Sequence, residues 1–276
     1  MNYKTKKYMK KNNKKEKKIK NDTTFKSPPI ETITKSASNF NVKIFSIDFK
    51  YKRSNFDVNK YNNFLASVDS DNELEIEILI NLVYAPVLTL GPGIRIGIWF
   101  QGCSIRCKGC ISKHTWEFDK KYTIKISDLI KQVKQYSKTY NTNSITISGG
   151  EPFDQPLALL ILLKELKKLK FNDILLYTGY KMSYLKKRYK NILDYIDVII
   201  DGPFIETKKT NKIYKGSSNQ KMYILNTNLK EIYKEYSKKL KTNKLQMINK
   251  NNEIYLIGIP NVDFQEKIKN KINLIY

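Results

Sequence analysis

The chain has two textures. Up to about residue 40 the positions are polar and no apolar period holds. From residue 74 onward, short apolar runs recur between turn residues. Leu74, Ile76, Ile78 and Ile80 alternate with other residues and then give way to the apolar pair Leu82 and Val83, which predicts a strand within 74–90. A second strand is predicted over Ile94–Phe100 and a possible edge strand over Val42–Ile47. Leu129, Ile130, Val133 and Tyr136 fall at helical spacing behind Ser127, which has the chemistry of an N-cap. Strands at 144–148, 174–177 and 196–200 then alternate with a leucine-rich helix over 157–169 and a short helix over 182–189. Two further apolar runs, 244–248 and 253–258, are joined by Asn249-Lys250-Asn251-Asn252 and predict a β-hairpin.

Repeated strand–helix units predict an α/β fold with a parallel sheet covered by helices. About four such units are too few for a closed eight-stranded barrel, so a partial (β/α) barrel is expected. The division that follows is a tail over 1–40, an extension with strands over 41–90, a core over 91–225 and a small β-rich extension over 226–276. The first 20 residues hold ten lysines against Glu16. Such a run predicts a disordered basic tail.

Composition adds little to this picture. The net charge is +25, but lysine is spread along the whole chain and accompanied by much Asn, Ile and Tyr, as in the drift of an AT-rich genome. Nonspecific attraction to polyanions at low salt is all that the charge itself predicts of nucleic acid. No apolar leader precedes the chain's core, and the longest charge-free run, Ile78–Ile94, is broken by Asn, Pro and Gly, so a cytoplasmic protein off the membrane is expected.

The chemistry lies just after the Ile94–Phe100 strand. All three cysteines of the chain, Cys103, Cys107 and Cys110, fall within eight residues as Cys-x3-Cys-x2-Cys. One cluster of three thiols suits a soft metal centre and leaves no structural disulfide. A tetrahedral zinc needs a fourth ligand, for which His114 is the one nearby histidine. A four-iron cluster held by three cysteines instead leaves one iron open. At a later strand end stands Gly149-Gly150-Glu151-Pro152, where glycines allow close backbone approach.

Together these motifs resemble the radical S-adenosylmethionine (SAM) superfamily. Gly91-Pro92-Gly93-Ile94-Arg95, Gln101-Gly102-Cys103, Thr115-Trp116, Tyr177-Thr178-Gly179-Tyr180, Asp201-Gly202-Pro203-Phe204 and Gly216-Ser217-Ser218-Asn219-Gln220 narrow the likeness to activating enzymes of glycyl-radical enzymes, the anaerobic ribonucleotide reductase activators in particular. The resemblance spans about Gly91 to Met222.

It implies a partial barrel of the radical SAM type and a [4Fe-4S] cluster on Cys103, Cys107 and Cys110. It implies SAM held near Gly109, Ile111, Gly149, Gly150, Glu151, Pro152, Gly179 and Asp201. It further implies reductive cleavage of SAM to a 5′-deoxyadenosyl radical, a glycyl-radical enzyme as partner, and an electron donor such as flavodoxin or ferredoxin. His114 reads as a loop residue, Trp116 and Tyr177 as packing, and Asp201 equally as a turn former. Arg95 either pairs a carboxylate or lies on the strand's outer face. Radical SAM modification of another protein, peptide or RNA, and a non-catalytic metal-binding module, remain open alternatives.

Overall fold

The computed structural model describes residues 73–240, 245–250 and 253–260. The lysine-rich tail and the strand expected over 42–47 lie outside the described residues.

Seven strands form one sheet. In chain order they are β1 (Glu77–Val87), β2 (Arg95–Phe100), β3 (Thr123–Lys125), β4 (Ser144–Gly149), β5 (Asp173–Tyr177), β6 (Val198–Asp201) and β7 (Lys221–Ile224). Their spatial order is β3-β1-β2-β4-β5-β6-β7. The four central strands β2, β4, β5 and β6 run parallel, and antiparallel strands flank them on both sides. The fold is therefore α/β with a mostly parallel central sheet. The helices are α1 (Ile126–Tyr140), α2 (Pro156–Lys168), α3 (Met182–Arg188), α4 (Lys190–Leu193) and α5 (Lys230–Lys238). The hairpin expected near the end is β8 (Gln246–Lys250) paired with β9 (Glu253–Ile257).

One face of the sheet carries the main core. Ile96, Ile98, Phe100, Ile145, Ile147, Ile174, Leu176 and Ile199 meet Leu129 and Val133 of α1, Leu159 and Leu162 of α2, and Leu185 and Ile192 of α3 and α4. Each such burial contributes about 1.5–3 kcal/mol. β1 reaches this core through a bulge. Ile80 opposes Phe100 while Leu82 opposes Trp99, so one extra residue enters near Asn81. The phase shifts there, and Ile78, Ile80, Val83 and Ala85 all face the main core while Leu82 and Val87 turn to the other side. The adjacent apolar pair Leu82-Val83 is the trace of that shift in the sequence.

The opposite face holds two smaller clusters. Leu82, Val87 and Leu90 pack under Ile248 and Ile257 of the hairpin. Leu175, Val198 and Ile200 pack under Tyr233 and Tyr236 of α5, a helix absent from the sequence reading. Within this face lies Arg95, which is fully buried and not on an outer surface. Its guanidinium pairs Asp173 at 2.6 Å and also donates to Thr146 Oγ1, Ile145 O and Asp173 O. Tyr233 donates to the same carboxylate at 2.6 Å.

Ser127 is not the cap of α1. Lys125 of β3 is the N-cap position, and no side chain caps the helix. The strand runs directly into the helix, and the backbone supplies acceptors instead: Ile126 N–H donates to Ile76 O and Ser127 N–H to Leu74 O.

Candidate active site

The carboxy-terminal ends of β2, β4 and β5 converge on one cavity. Its lining includes Cys103, Cys107, Gly109, Cys110 and Ile111 from the loop after β2, Ser148–Glu151 from the end of β4, and Tyr177–Gly179 from the end of β5. Phe204, Lys209, Gly216 and Gln220 close another side. Of the SAM-site residues expected from the resemblance, Gly109, Ile111, Gly149, Gly150, Glu151 and Gly179 stand on the lining.

Pro152 and Asp201 do not. Pro152 opens a buried turn behind the cavity. Asp201 accepts from Met182 N–H at 2.7 Å and from Lys221 N–H at 3.2 Å, so its carboxylate ties α3 and β7 to the end of β6. His114 is exposed and is not among the lining residues.

The cysteine loop is fastened strand by strand. Gly102 N–H donates to Thr115 O and Cys103 N–H to Trp116 O. Gly150 N–H donates to Phe100 O, and Glu151 N–H to Gly102 O. Asp154 accepts from Ser104 and from the Tyr180 hydroxyl, which ties the loop to the turn after β4 and the turn after β5.

The glycines follow from this closeness. A Cβ on Gly149 would stand 2.4 Å from Phe100 N, and one on Gly150 would stand 2.2 Å from Gly102 O. Both obstacles are backbone and cannot swing away. The paired glycines are therefore demanded by the neighbouring strand end before any ligand is considered.

Glu151 is 1% exposed. It accepts from Gly179 N–H at 2.7 Å, the Thr178 hydroxyl at 2.8 Å and Phe153 N–H at 3.1 Å. Burial pushes its carboxyl up to about 8, and the charge of Asp154 adds to the rise. With both oxygens engaged, Glu151 is a brace between β4 and β5.

The three thiols are free of disulfides and half-buried. Burial pushes the Cys103 thiol up to about 11 and raises that of Cys107. Such thiols ionise against a cation, which a metal centre supplies. A single tetrahedral zinc needs its ligands to converge at about 2.3 Å. Among the described residues no three Cys, His, Asp or Glu side chains gather tightly enough for one ion. The three thiols share one cavity lining, a donor set that suits a cluster with one open iron. Two further lining residues, Trp116 and Tyr177, carry a buried indole N–H and a buried phenol without a hydrogen-bond partner among the described residues. The sequence predicts both as packing residues, and nothing in it marks those polar atoms as unpaired.

A mostly parallel sheet that presents three thiols and a glycine turn at adjacent strand ends defines an α/β protein built around a soft metal centre. Comparison with known proteins agrees. Residues 89–223 match the family model described as a 4Fe-4S single cluster domain. Three relatives carry the description anaerobic ribonucleoside-triphosphate reductase-activating protein. That of Enterobacteria phage T4 is 32% identical over 136 residues, 48% of this chain and 85% of the relative. That of Haemophilus influenzae is 34% identical over 138 residues, 47% of this chain and 87% of the relative. That of Escherichia coli K12 is 32% identical over 151 residues, 51% of this chain and 96% of the relative. The chain belongs to the family of anaerobic ribonucleoside-triphosphate reductase-activating proteins. A solved structure, QueE from Escherichia coli, is similar with a TM-score of 0.36 at 23% identity over 41% of this chain and 57% of that one, too distant to argue from. No helix among the described residues is long and apolar enough to cross a membrane.

Proposed function

We propose that this protein is a radical SAM activating enzyme that generates a glycyl radical on an anaerobic ribonucleotide reductase. The observation that carries this is the meeting of Cys103, Cys107 and Cys110 with Gly149–Glu151 in one cavity at the ends of parallel strands. Family membership supplies the target.

Bound together, a [4Fe-4S] cluster and SAM supply a 5′-deoxyadenosyl radical by reductive cleavage. The protein's own residues position and shelter that chemistry. The three cysteines hold the cluster. Gly109, Ile111, Gly149, Gly150 and Gly179 line the space for SAM, and Glu151 fixes the spacing of the two strand ends behind it. Pro152 and Asp201 act from behind the lining, through the turn and the strand end they secure. Phe204, Lys209 and Gln220 bound another side of the same cavity. The central sheet with its strand-end site fits a partial (β/α) barrel. The electron comes from a donor such as flavodoxin or ferredoxin in a cytoplasmic setting.

The test is to incubate the anaerobically reconstituted protein with SAM, a reductant and a purified anaerobic ribonucleoside-triphosphate reductase. Electron paramagnetic resonance should show a glycyl-radical doublet on the reductase, with 5′-deoxyadenosine formed alongside. 5′-Deoxyadenosine without the doublet would reject the target and keep the chemistry. Absence of both, in cluster-loaded protein, would reject the reading.

A further inference from the structure

The hairpin β8–β9 lies well beyond residues 89–223, the part matched by the family model. Yet Ile259 and Pro260, which follow its second strand, line the same cavity as the three cysteines. We propose that this carboxy-terminal hairpin is a wall of the active site, and that Ile259 and Pro260 restrict access of water and small solutes to the cysteine cavity. The inference rests on the cavity being the cluster site, as proposed above.

The hairpin is seated, not merely adjacent. The Gln246 side-chain amide donates to Pro86 O at 2.6 Å and accepts from Leu88 N–H at 3.2 Å, which pairs it to the backbone at the end of β1. The Thr89 hydroxyl donates to Ile257 O at 3.0 Å, two residues before Ile259. Beneath these bonds Ile248, Ile257 and Ile259 pack on Leu82, Val87, Leu90 and Trp99. Gly97 makes room for this seam, because a Cβ there would stand 2.2 Å from the Trp99 ring. The seam is apolar and bonded at both ends, so the position of Ile259 follows from the docking. A proline at the next residue stiffens the chain where it borders the cavity.

The chemistry gives such a wall a purpose. Open iron and thiolate sites lose metal to chelators and react with oxidants as solvent reaches them. Two apolar residues at the rim exclude solvent without offering a competing ligand.

The experiment compares the full chain with three variants: a chain ending at Leu240, the full chain with Ile259→Ser and Pro260→Gly, and the full chain with Gln246→Ala and Thr89→Val. Two rates are read under argon. One is the transfer of iron from the loaded protein to a coloured ferrous chelator. The other is alkylation of the thiols by N-ethylmaleimide in the metal-free protein. Both should rise about tenfold in the variants, because local opening then exposes the site without global unfolding. Circular dichroism checks that each variant is folded. If the shortened chain does not fold, the two full-length variants decide. Unchanged rates in folded variants would overturn the wall. Failure of every protein to load iron would instead overturn the cluster reading, and the alkylation rates would still judge the wall.

Discussion

Glu151, at the end of β4, accepts a hydrogen bond from the backbone N–H of Gly179, at the end of β5, at 2.7 Å. This bond sets the distance between two strand ends that face the same cavity. It places a buried, hydrogen-bonded carboxyl within the Gly-Gly-Glu-Pro turn.

That carboxyl makes the metal-free protein sensitive to pH. Burial raises its value from 4.5 to about 8. The native state then keeps a proton that the unfolded chain releases between those values. The sign follows: the contribution is full below about 4.5 and is lost as pH rises towards 8, at no more than about 1.4 kcal/mol per unit. Thermal midpoints of the metal-free chain should fall over that window. Glu151→Gln should flatten the fall, and an equally steep fall in the variant would count against a neutral Glu151.

Gly150→Ala should damage the cysteine loop itself. The new Cβ meets Gly102 O at 2.2 Å, one residue before Cys103. A cost of about 1–3 kcal/mol in stability is expected, as for other overpacked sites, together with reduced iron loading. Gly179→Ala should be milder, since its Cβ meets the flexible Ile105 Cδ1 at 2.5 Å. Ile105→Ala should relieve the Gly179→Ala variant and leave the Gly150→Ala variant unrelieved. Urea midpoints and iron per chain measure both.

Alanine at any one of Cys103, Cys107 or Cys110 should abolish the cluster, because the chain has no other thiol to substitute. Iron and sulfide analysis after anaerobic reconstitution decides this. A full complement in any of the three variants would remove that cysteine from the ligand set.

The pair Arg95–Asp173 should be costly to break and cheap to replace as a unit. Asp173→Asn or Arg95→Met each leaves a partner stranded in the interior, a loss of about 3–5 kcal/mol. The double variant should lose much less than the sum of the two. Tyr233→Phe removes only a donor to Asp173 and should cost about 1 kcal/mol. Chemical denaturation of all four variants gives the coupling.

The order of strands and helices was legible because β2, β4, β5 and β6 are short Ile-, Val- or Leu-bearing segments, each followed within two residues of its end by a glycine. The cysteine spacing and the Gly149–Pro152 turn were legible for the same local reason. What escaped depends on distant parts of the chain. Helix α5 buries Tyr233 and Tyr236, whose hydroxyls made the segment look polar, while each finds a buried partner in Asp173 or Gly91. Arg95 sits inside an apolar strand, and nothing local tells that Asp173, far along the chain, awaits it. Ser127 has the right chemistry for a cap, but the backbone of residues 74–76 had already satisfied the helix's first donors. Asp201 falls at a strand end as a site residue does, yet Met182 and Lys221 take up its oxygens.

The seating of Trp99 across Gly97 has an optical consequence. The chain has two tryptophans, one in the seam under the hairpin and the other, Trp116, on the lining of the cysteine cavity. With Trp116 replaced by Phe, the remaining indole reports on the seam alone. Its emission moves to longer wavelength when water reaches the ring, so detachment of the hairpin can be followed in real time without a label. With Trp99 replaced instead, the remaining emission comes from the cavity, where a bound absorbing metal centre quenches it. Two single-tryptophan proteins thus separate the movement of the wall from the filling of the space behind it.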